Sequence, residues 1–145
     1  MKETDLAYSA GIIDGEGNIG IYANTGKHGF PAFKMRVRVN NTDEWLIHWL
    51  KENFGGSVGM VDRGPKYNRN WKPSWWWTIS CRKAMLFLEM IFPYLRLKKP
   101  QAELAIKFQK AKSRERGRNR SYSEREIALI EAEKILMMSM NKRGL

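Results

Sequence analysis

Residues 5–17 read Asp-Leu-Ala-Tyr-Ser-Ala-Gly-Ile-Ile-Asp-Gly-Glu-Gly, a segment that combines regularly spaced small residues with two acids near its end. Its small residues Ala7, Gly11 and Gly15 recur every four positions, so a helix here has one face with almost no side chain. Such a face lets a second backbone approach closely, as small residues do at tight helix contacts. Glu16 and the acid two residues before it fall at the helix C-terminus, where the dipole disfavours carboxylates. Because a bound divalent cation would reverse that penalty, the stretch predicts a helix that meets a partner and ends at a cation site.

The composition indicates a folded chain with a polyanionic partner. The 145 residues are 43% hydrophobic and carry a net charge of +11, which favours nucleic acid or an anionic membrane surface as partner. The charge is uneven, because residues 1–53 have a net charge of −1 and residues 63–120 a net charge of +13. The middle of the chain is therefore the predicted binding region.

Several classes of site and location are excluded by residue counts. One cysteine and two histidines exclude an internal disulfide, a cysteine-based zinc site and a multi-histidine metal centre. The longest apolar run, Ala84 to Leu95, is too short to span a bilayer, and the first residues lack the apolar segment of a signal peptide. We therefore expect an intracellular protein, neither secreted nor membrane-bound, whose partner is nucleic acid.

Hydrophobic periodicity predicts an α+β chain of alternating helices and strands. The predicted elements are a helix over 5–17, strands over 18–24 and 33–39, a helix capped by Thr42, strands over 57–62 and 75–80, and helices over about 82–92, 100–112 and 123–140. We expect residues 1–112 to form the domain, and residues 113–145 to add a basic linker and a C-terminal helix that packs back on it. The apolar residues expected to make that contact are Ile127, Ile130, Ile135, Met137 and Met138.

The second strand carries a basic stripe. Lys34, Arg36 and Arg38 alternate with apolar residues, so all three cations lie on one face of the strand. One reading is a solvated face with cations by chance, and we favour a nucleic-acid surface. The loop at 63–74 adds further cations interleaved with aromatic residues, which suits phosphate and base contacts.

Residues 9–17 also resemble the nine-residue signature of the LAGLIDADG homing endonucleases. The element order α-β-β-α-β-β-α is that of a LAGLIDADG domain, and Pro-Tyr-Leu-Arg-Leu-Lys-Lys-Pro-Gln at 93–101 is similar to a basic stretch of single-motif members. The resemblance runs from about residue 5 to about residue 104. The positions identical to the signature are Ala10, Gly11, Ile13, Asp14 and Gly17.

The resemblance implies a four-stranded antiparallel saddle-shaped sheet with helices on its convex face, and its concave face along the DNA major groove. With one motif per chain, it implies a homodimer that makes a staggered double-strand break at a long, near-palindromic site in double-stranded DNA. Two alternatives remain open. One is a catalytically silent nucleic-acid-binding protein of this fold, either an intron RNA maturase or a DNA-binding regulator. The other is a generic basic RNA-binding α+β protein, which leaves the small-residue helix and its terminal acids unexplained.

The resemblance also implies roles for individual residues. Glu16, with the backbone carbonyl of Gly15, would bind Mg²⁺, for which Mn²⁺ could substitute. Lys98 matches the lysine of the family's active-site pocket, with a plain phosphate-binding or solvated lysine as the alternative. Asn41 matches a polar water-orienting residue, although the Asn40-Asn41 pair leaves the alignment open by one position.

Two further groups of residues are expected at interfaces. The expected dimer interface comprises Ala7, Ala10, Gly11, Asp14 and Gly15, with Asp14 otherwise structural. The expected DNA contacts are Asn18, Tyr22, Asn24, Lys34, Arg36, Arg38, Arg63, Lys66, Arg69, Trp75 and Trp77.

Overall fold

A computed structural model describes residues 1–25, 31–61, 72–114 and 122–142. In chain order its elements are α1 (Glu3–Glu16), β1 (Gly17–Thr25), β2 (Pro31–Asn41), α2 (Glu44–Phe54), β3 (Ser57–Val61), β4 (Ser74–Ser80), α3 (Cys81–Ile91), a 3-10 turn (Phe92–Tyr94), α4 (Lys99–Arg114) and α5 (Glu124–Asn141). The predicted α+β class and the order α-β-β-α-β-β-α with additional helices at the C-terminal end are confirmed.

The four strands form one antiparallel sheet in the order β1-β2-β4-β3. Alternate residues point to opposite faces, and the apolar set of β1, β2 and β4 is buried against the helices. The other face carries polar and aromatic residues and is called the open face below. The open face comprises Asn18, Gly20, Tyr22, Lys34, Arg36, Arg38, Asn40, Gly59, Trp76 and Thr78.

Helices α1 to α4 cover the apolar face of the sheet. Each contributes buried side chains to one core cluster, such as Ile13 from α1, Leu50 from α2, Phe87 from α3 and Phe108 from α4. The N-cap of α2 is Asp43 rather than the predicted Thr42, because the Asp43 carboxylate accepts a hydrogen bond from the amide of Trp45 at 2.9 Å. Within the described ranges, none of the helices combines the length and apolar character needed to cross a membrane.

Helix α5 lies beside β1 and α4. The Ser123 hydroxyl caps it by accepting the amide of Glu126 at 3.2 Å, as the sequence predicts. Ile130 and Met137 join the core cluster. The expectation that Ile135 and Met138 also pack inward is wrong, since both are largely exposed. The apolar residues of α5 are distributed around the whole helix, so the sequence pattern does not indicate which face is buried.

Candidate functional site

Glu16 is the last residue of α1, and its exposed carboxylate is held by the end of β2. Asn41 Nδ2 donates to Glu16 Oε2 at 2.5 Å. The Asn41 Oδ1 in turn accepts the amide of Asp43 at 2.7 Å, so the loop before α2 fixes the orientation of the asparagine. Asn41 therefore contacts Glu16, while Asn40 lies on the open face.

Lys98 lies immediately before α4 and reaches the backbone at the C-terminal end of α1. Its half-buried ammonium group donates to the carbonyl of Ile13 at 2.9 Å and to the carbonyl of Gly17. A cation at a helix C-terminus is favoured by the dipole, and the Ile13 carbonyl also accepts the amide of Gly17. Lys98 therefore caps α1, and its charge lies against the backbone on both sides of Glu16.

Asp14 of α1 contacts the same segment that carries Lys98, and here the segment supplies the hydrogen-bond donors. Its carboxylate accepts the backbone amides of Arg96, Leu97 and Lys98 at 2.8, 3.1 and 3.0 Å. These amides precede α4, so Asp14 holds the backbone of the segment that leads into that helix. Lys98 on the carbonyls of Ile13 and Gly17, and Asp14 on the amides at 96–98, together join the C-terminal end of α1 to the segment before α4. The sequence expectation that Asp14 is structural agrees with this geometry.

The donor set at the end of α1 fits a hard divalent cation. Glu16 offers an exposed carboxylate, and the carbonyl of Gly15 belongs to the last turn of the same helix, which matches the oxygen ligands that Mg²⁺ prefers. In the parts of the chain that the structure describes, no group of three or more His, Cys, Asp or Glu side chains could hold a metal ion. The remaining ligands of a bound cation would have to come from outside this set, such as phosphate and water oxygens.

The open face gathers most of the described residues that the sequence assigns to DNA contact. Asn18 lies opposite Arg38, and Tyr22 lies opposite Lys34, across the β1–β2 pair. Arg36 lies between Lys34 and Arg38 on the same face of β2. The predictions for Arg63, Lys66 and Arg69, and for the Asn24 side chain, lie outside what the structure describes.

Two of the three successive tryptophans were assigned to the wrong face. Trp77 is buried in the core, and its Nε1 donates to the carbonyl of Gly55 at 2.7 Å. Trp75 is half-buried on the same side, with its ring 5.7 Å from that of His48 on α2. Trp76 instead lies on the open face, opposite Asn40 of β2. The sequence reasoning missed Trp76 because alternation alone does not say which side the helices cover.

The small-residue face of α1 is exposed. Ala7, Gly11 and Gly15 are exposed, and a Cβ added at either glycine would meet nothing within 4 Å. Ala10, by contrast, is completely buried in the chain's own core, so its predicted place in a dimer interface is wrong. Ala10 lies about 60° around the helix from Ala7, on the side that meets the sheet.

Comparison with solved structures identifies the architecture. An archaeal intron-encoded homing endonuclease complexed with DNA matches with a TM-score of 0.77 and 12% identity over 100% of this chain and 89% of the other. I-CvuI, in complex with a DNA target in the presence of Mg, matches with a TM-score of 0.74 and 17% identity over 99% of this chain and 85% of the other. The chain has the fold of the LAGLIDADG homing endonucleases.

The LAGLIDADG fold also occurs in longer chains that this one matches only in part. I-GzeII, in complex with its DNA target, matches with a TM-score of 0.65 and 19% identity over 97% of this chain but only 45% of its own. By sequence, the chain matches no family model and no curated protein. The fold assignment therefore rests on structure, and the signature-like residues 9–17 occupy α1, whose C-terminus bears the candidate site.

Proposed function

We propose that the chain is one subunit of a homodimeric, divalent-metal-dependent endonuclease that makes a staggered double-strand break at a long, near-palindromic DNA site. The observation that carries the proposal is the meeting of Glu16, Asn41 and Lys98 at the end of a helix whose neighbouring face is bare. Structures of the same fold hold DNA, as the I-CvuI and I-GzeII complexes do. The fold, the acid and the basic surface together support an enzyme acting on DNA.

The open face would bind the DNA. Lys34, Arg36 and Arg38 form a row of cations on it, on a chain with a net charge of +11, so attraction to phosphates should make affinity fall steeply with salt. Asn18 and Tyr22 on the neighbouring strand supply hydrogen-bonding groups for base edges. Arginine and lysine suit guanine, and asparagine suits adenine.

The carboxylate of Glu16 and the carbonyl of Gly15 would hold the metal ion. When bound, Mg²⁺ supplies an activated water and compensates the charge that develops on the phosphate. Asn41 acts through Glu16, since its amide already donates to that carboxylate and its carbonyl oxygen already accepts from Asp43. Lys98 keeps a positive charge beside the site, where it can oppose the negative charge of the scissile phosphate.

Two copies are proposed because the chain has one signature-like segment and a duplex has two strands to cut. The bare face formed by Ala7, Gly11 and Gly15 would let two α1 helices pack closely on a twofold axis. Each subunit would then place one Glu16 near one strand, and two cations would offset the repulsion between the two acids.

The test is selection from a randomised duplex DNA library with Mg²⁺ or with Ca²⁺. We expect wild type with Mg²⁺ to produce cut ends around a near-palindrome, and Glu16→Gln to bind the same sequences without cutting. The matched control is Glu89→Gln, because Glu89 lies on α3 and its only described ion pair, to Lys110 at 3.8 Å, is largely exposed. Glu89→Gln should cut like wild type.

Three results would contradict parts of the proposal. Cutting by Glu16→Gln at the wild-type rate would remove Glu16 from the site. Sequence selection without cutting by wild type would leave a DNA-binding protein with a silent site. Preference for structured RNA over duplex DNA would favour the intron-RNA alternative.

A further inference from the structure

Two aromatic rings on the open face lie against glycines of the sheet. A Cβ added to Gly20 would come within 2.6–2.7 Å of the Tyr22 ring and hydroxyl, and a Cβ added to Gly59 would overlap the indole of Trp76. The Tyr22 hydroxyl donates to Asn18 Oδ1 at 2.9 Å, which ties that ring along β1. Both rings therefore cover the backbone where any other residue would push them away.

Each ring carries an arginine of β2. The guanidinium carbon of Arg36 lies 4.2 Å from the centre of the Tyr22 ring, and that of Arg38 lies 5.2 Å from the centre of the Trp76 ring. Both distances are within the range of cation–π attraction. Arg38 is held further because its Nε donates to Asn40 Oδ1 at 3.1 Å. The open face thus has two stacks, Gly20–Tyr22–Arg36 and Gly59–Trp76–Arg38.

These stacks are unfavourable choices for the sheet alone. Glycine inside a strand weakens it and often marks a close approach. In addition, the Nε of Arg36 is buried without a hydrogen-bond partner among the described residues, and leaving a buried donor unpaired costs stability. An arrangement that lowers stability while fixing two arginines is typical of a binding surface.

We propose that Tyr22 and Trp76 are positioning residues that preorganise Arg36 and Arg38 to read guanine bases in the DNA major groove. The inference rests on the proposed DNA function and names the bases and residues that give it specificity. A planar guanidinium stacked on a ring keeps its edge free for bidentate bonds, which is the geometry that guanine O6 and N7 accept. Holding the side chain in place before binding reduces the entropy lost on binding.

The spacing of the two stacks fits neighbouring bases of one half-site. Arg36 and Arg38 are two residues apart on β2, about 7 Å along an extended strand. Two base-pair steps of about 3.4 Å each span the same distance. The two arginines can therefore reach two guanines separated by one base pair when the strand follows the groove.

The test compares base preferences in a binding selection on randomised duplex DNA with Ca²⁺. Arg36→Ala and Arg38→Ala identify the base position that each arginine reads. We expect Trp76→Leu and Gly59→Ala to lower the guanine preference at the Arg38 position by about tenfold and to leave the Arg36 position within about twofold.

The two stacks control for each other, because Tyr22→Leu should lower only the preference at the Arg36 position. Trp76→Phe should keep most of the guanine preference at the Arg38 position that Trp76→Leu loses, because a ring remains under the guanidinium. A purely structural role for Trp76 would not predict this difference between the two variants. Thermal unfolding of each variant verifies that it folds, and Gly59→Ala gives a second route to the same displacement if Trp76→Leu is unstable.

The outcomes separate this inference from the proposed function. If wild type selects a site and Trp76→Leu keeps the Arg38 preference, the inference is overturned while the DNA function stands. If Arg38→Ala weakens all sequences equally, the arginine contacts phosphate and the inference is again overturned. If wild type binds no duplex DNA, the proposed function fails and the inference fails with it.

Discussion

Replacement of Asp14 by alanine should lower the stability of the folded chain substantially. The carboxylate accepts three backbone amides at 96–98, and alanine leaves all three without their acceptor. A hydrogen bond to a charged group contributes about 1.5–3 kcal/mol. Because Asp14 is only half-buried and water can replace part of the contact, we expect a loss of about 2 kcal/mol.

That loss corresponds to a measurable change in Tm. An unfolding entropy of about 2.1 cal/mol/K per residue gives about 0.3 kcal/mol/K for 145 residues. A loss of about 2 kcal/mol then lowers Tm by about 7 °C. Asp14→Asn should lose less, since its remaining oxygen can still accept the amides of Leu97 and Lys98, which share one carboxylate oxygen in the wild type.

Thermal and denaturant unfolding followed by circular dichroism measure the effect. Glu89→Ala is the control, because its exposed ion pair should contribute less than about 0.5 kcal/mol. If Asp14→Ala unfolds within about 0.5 kcal/mol of wild type, the amides at 96–98 lose nothing when the carboxylate is removed, and the expected stabilisation is excluded. If Glu89→Ala is equally destabilised, the loss is not specific to the Asp14 contacts.

Three further predictions follow from the same structure. Gly11→Leu should abolish dimerisation without unfolding the chain, because a side chain at Gly11 points into open space; light scattering that still shows a dimer would exclude packing through this face. Lys98→Met should lower both Tm and DNA cleavage, since it removes the ammonium that caps α1; an unchanged Tm would contradict the capping role. Burial raises the pKa of Glu133, and the charge of Lys107 partly opposes this shift. Between the ordinary and the raised pKa, the folded state therefore binds more protons than the unfolded state, and stability falls as pH rises through that window. Glu133→Gln should remove this dependence and raise Tm at pH 7, and a Tm that still falls through that pH window would assign the effect to another group.

The sequence predicts the elements well and the side of the sheet less well. Period-two alternation shows that Trp76 points opposite to Trp75 and Trp77, and does not show which side the helices cover. That choice depends on packing, here the ring of Trp77 against Phe87 at 5.3 Å and its bond to Gly55. Pairing β4 with the basic stripe of β2 would have placed Trp76 correctly, but the register joins residues far apart in sequence.

The helix pattern alone indicates Glu16, whereas Asn41 and Lys98 enter the candidate site only through the resemblance. Glu16 and Asn41 are 25 residues apart, and Asp14 lies 82–84 residues from the amides it accepts. No periodicity links positions at such separations, because tertiary contacts and not local geometry bring them together. The same limit explains Ala10, whose burial follows from the angle at which α1 meets the sheet.

Helix α5 also protects the edge strand of the sheet from pairing with another chain. β1 is an edge strand, and the free backbone groups of an edge can pair with another chain and start aggregation. Asn141 of α5 donates to the carbonyl of Ile19 on that edge at 2.8 Å, while Ile130 and Met137 anchor the helix to the core. Shortening the chain before α5 should therefore produce aggregation rather than a smaller folded domain. A single-chain fusion of two copies should join them beyond Asn141, so that the edge stays covered.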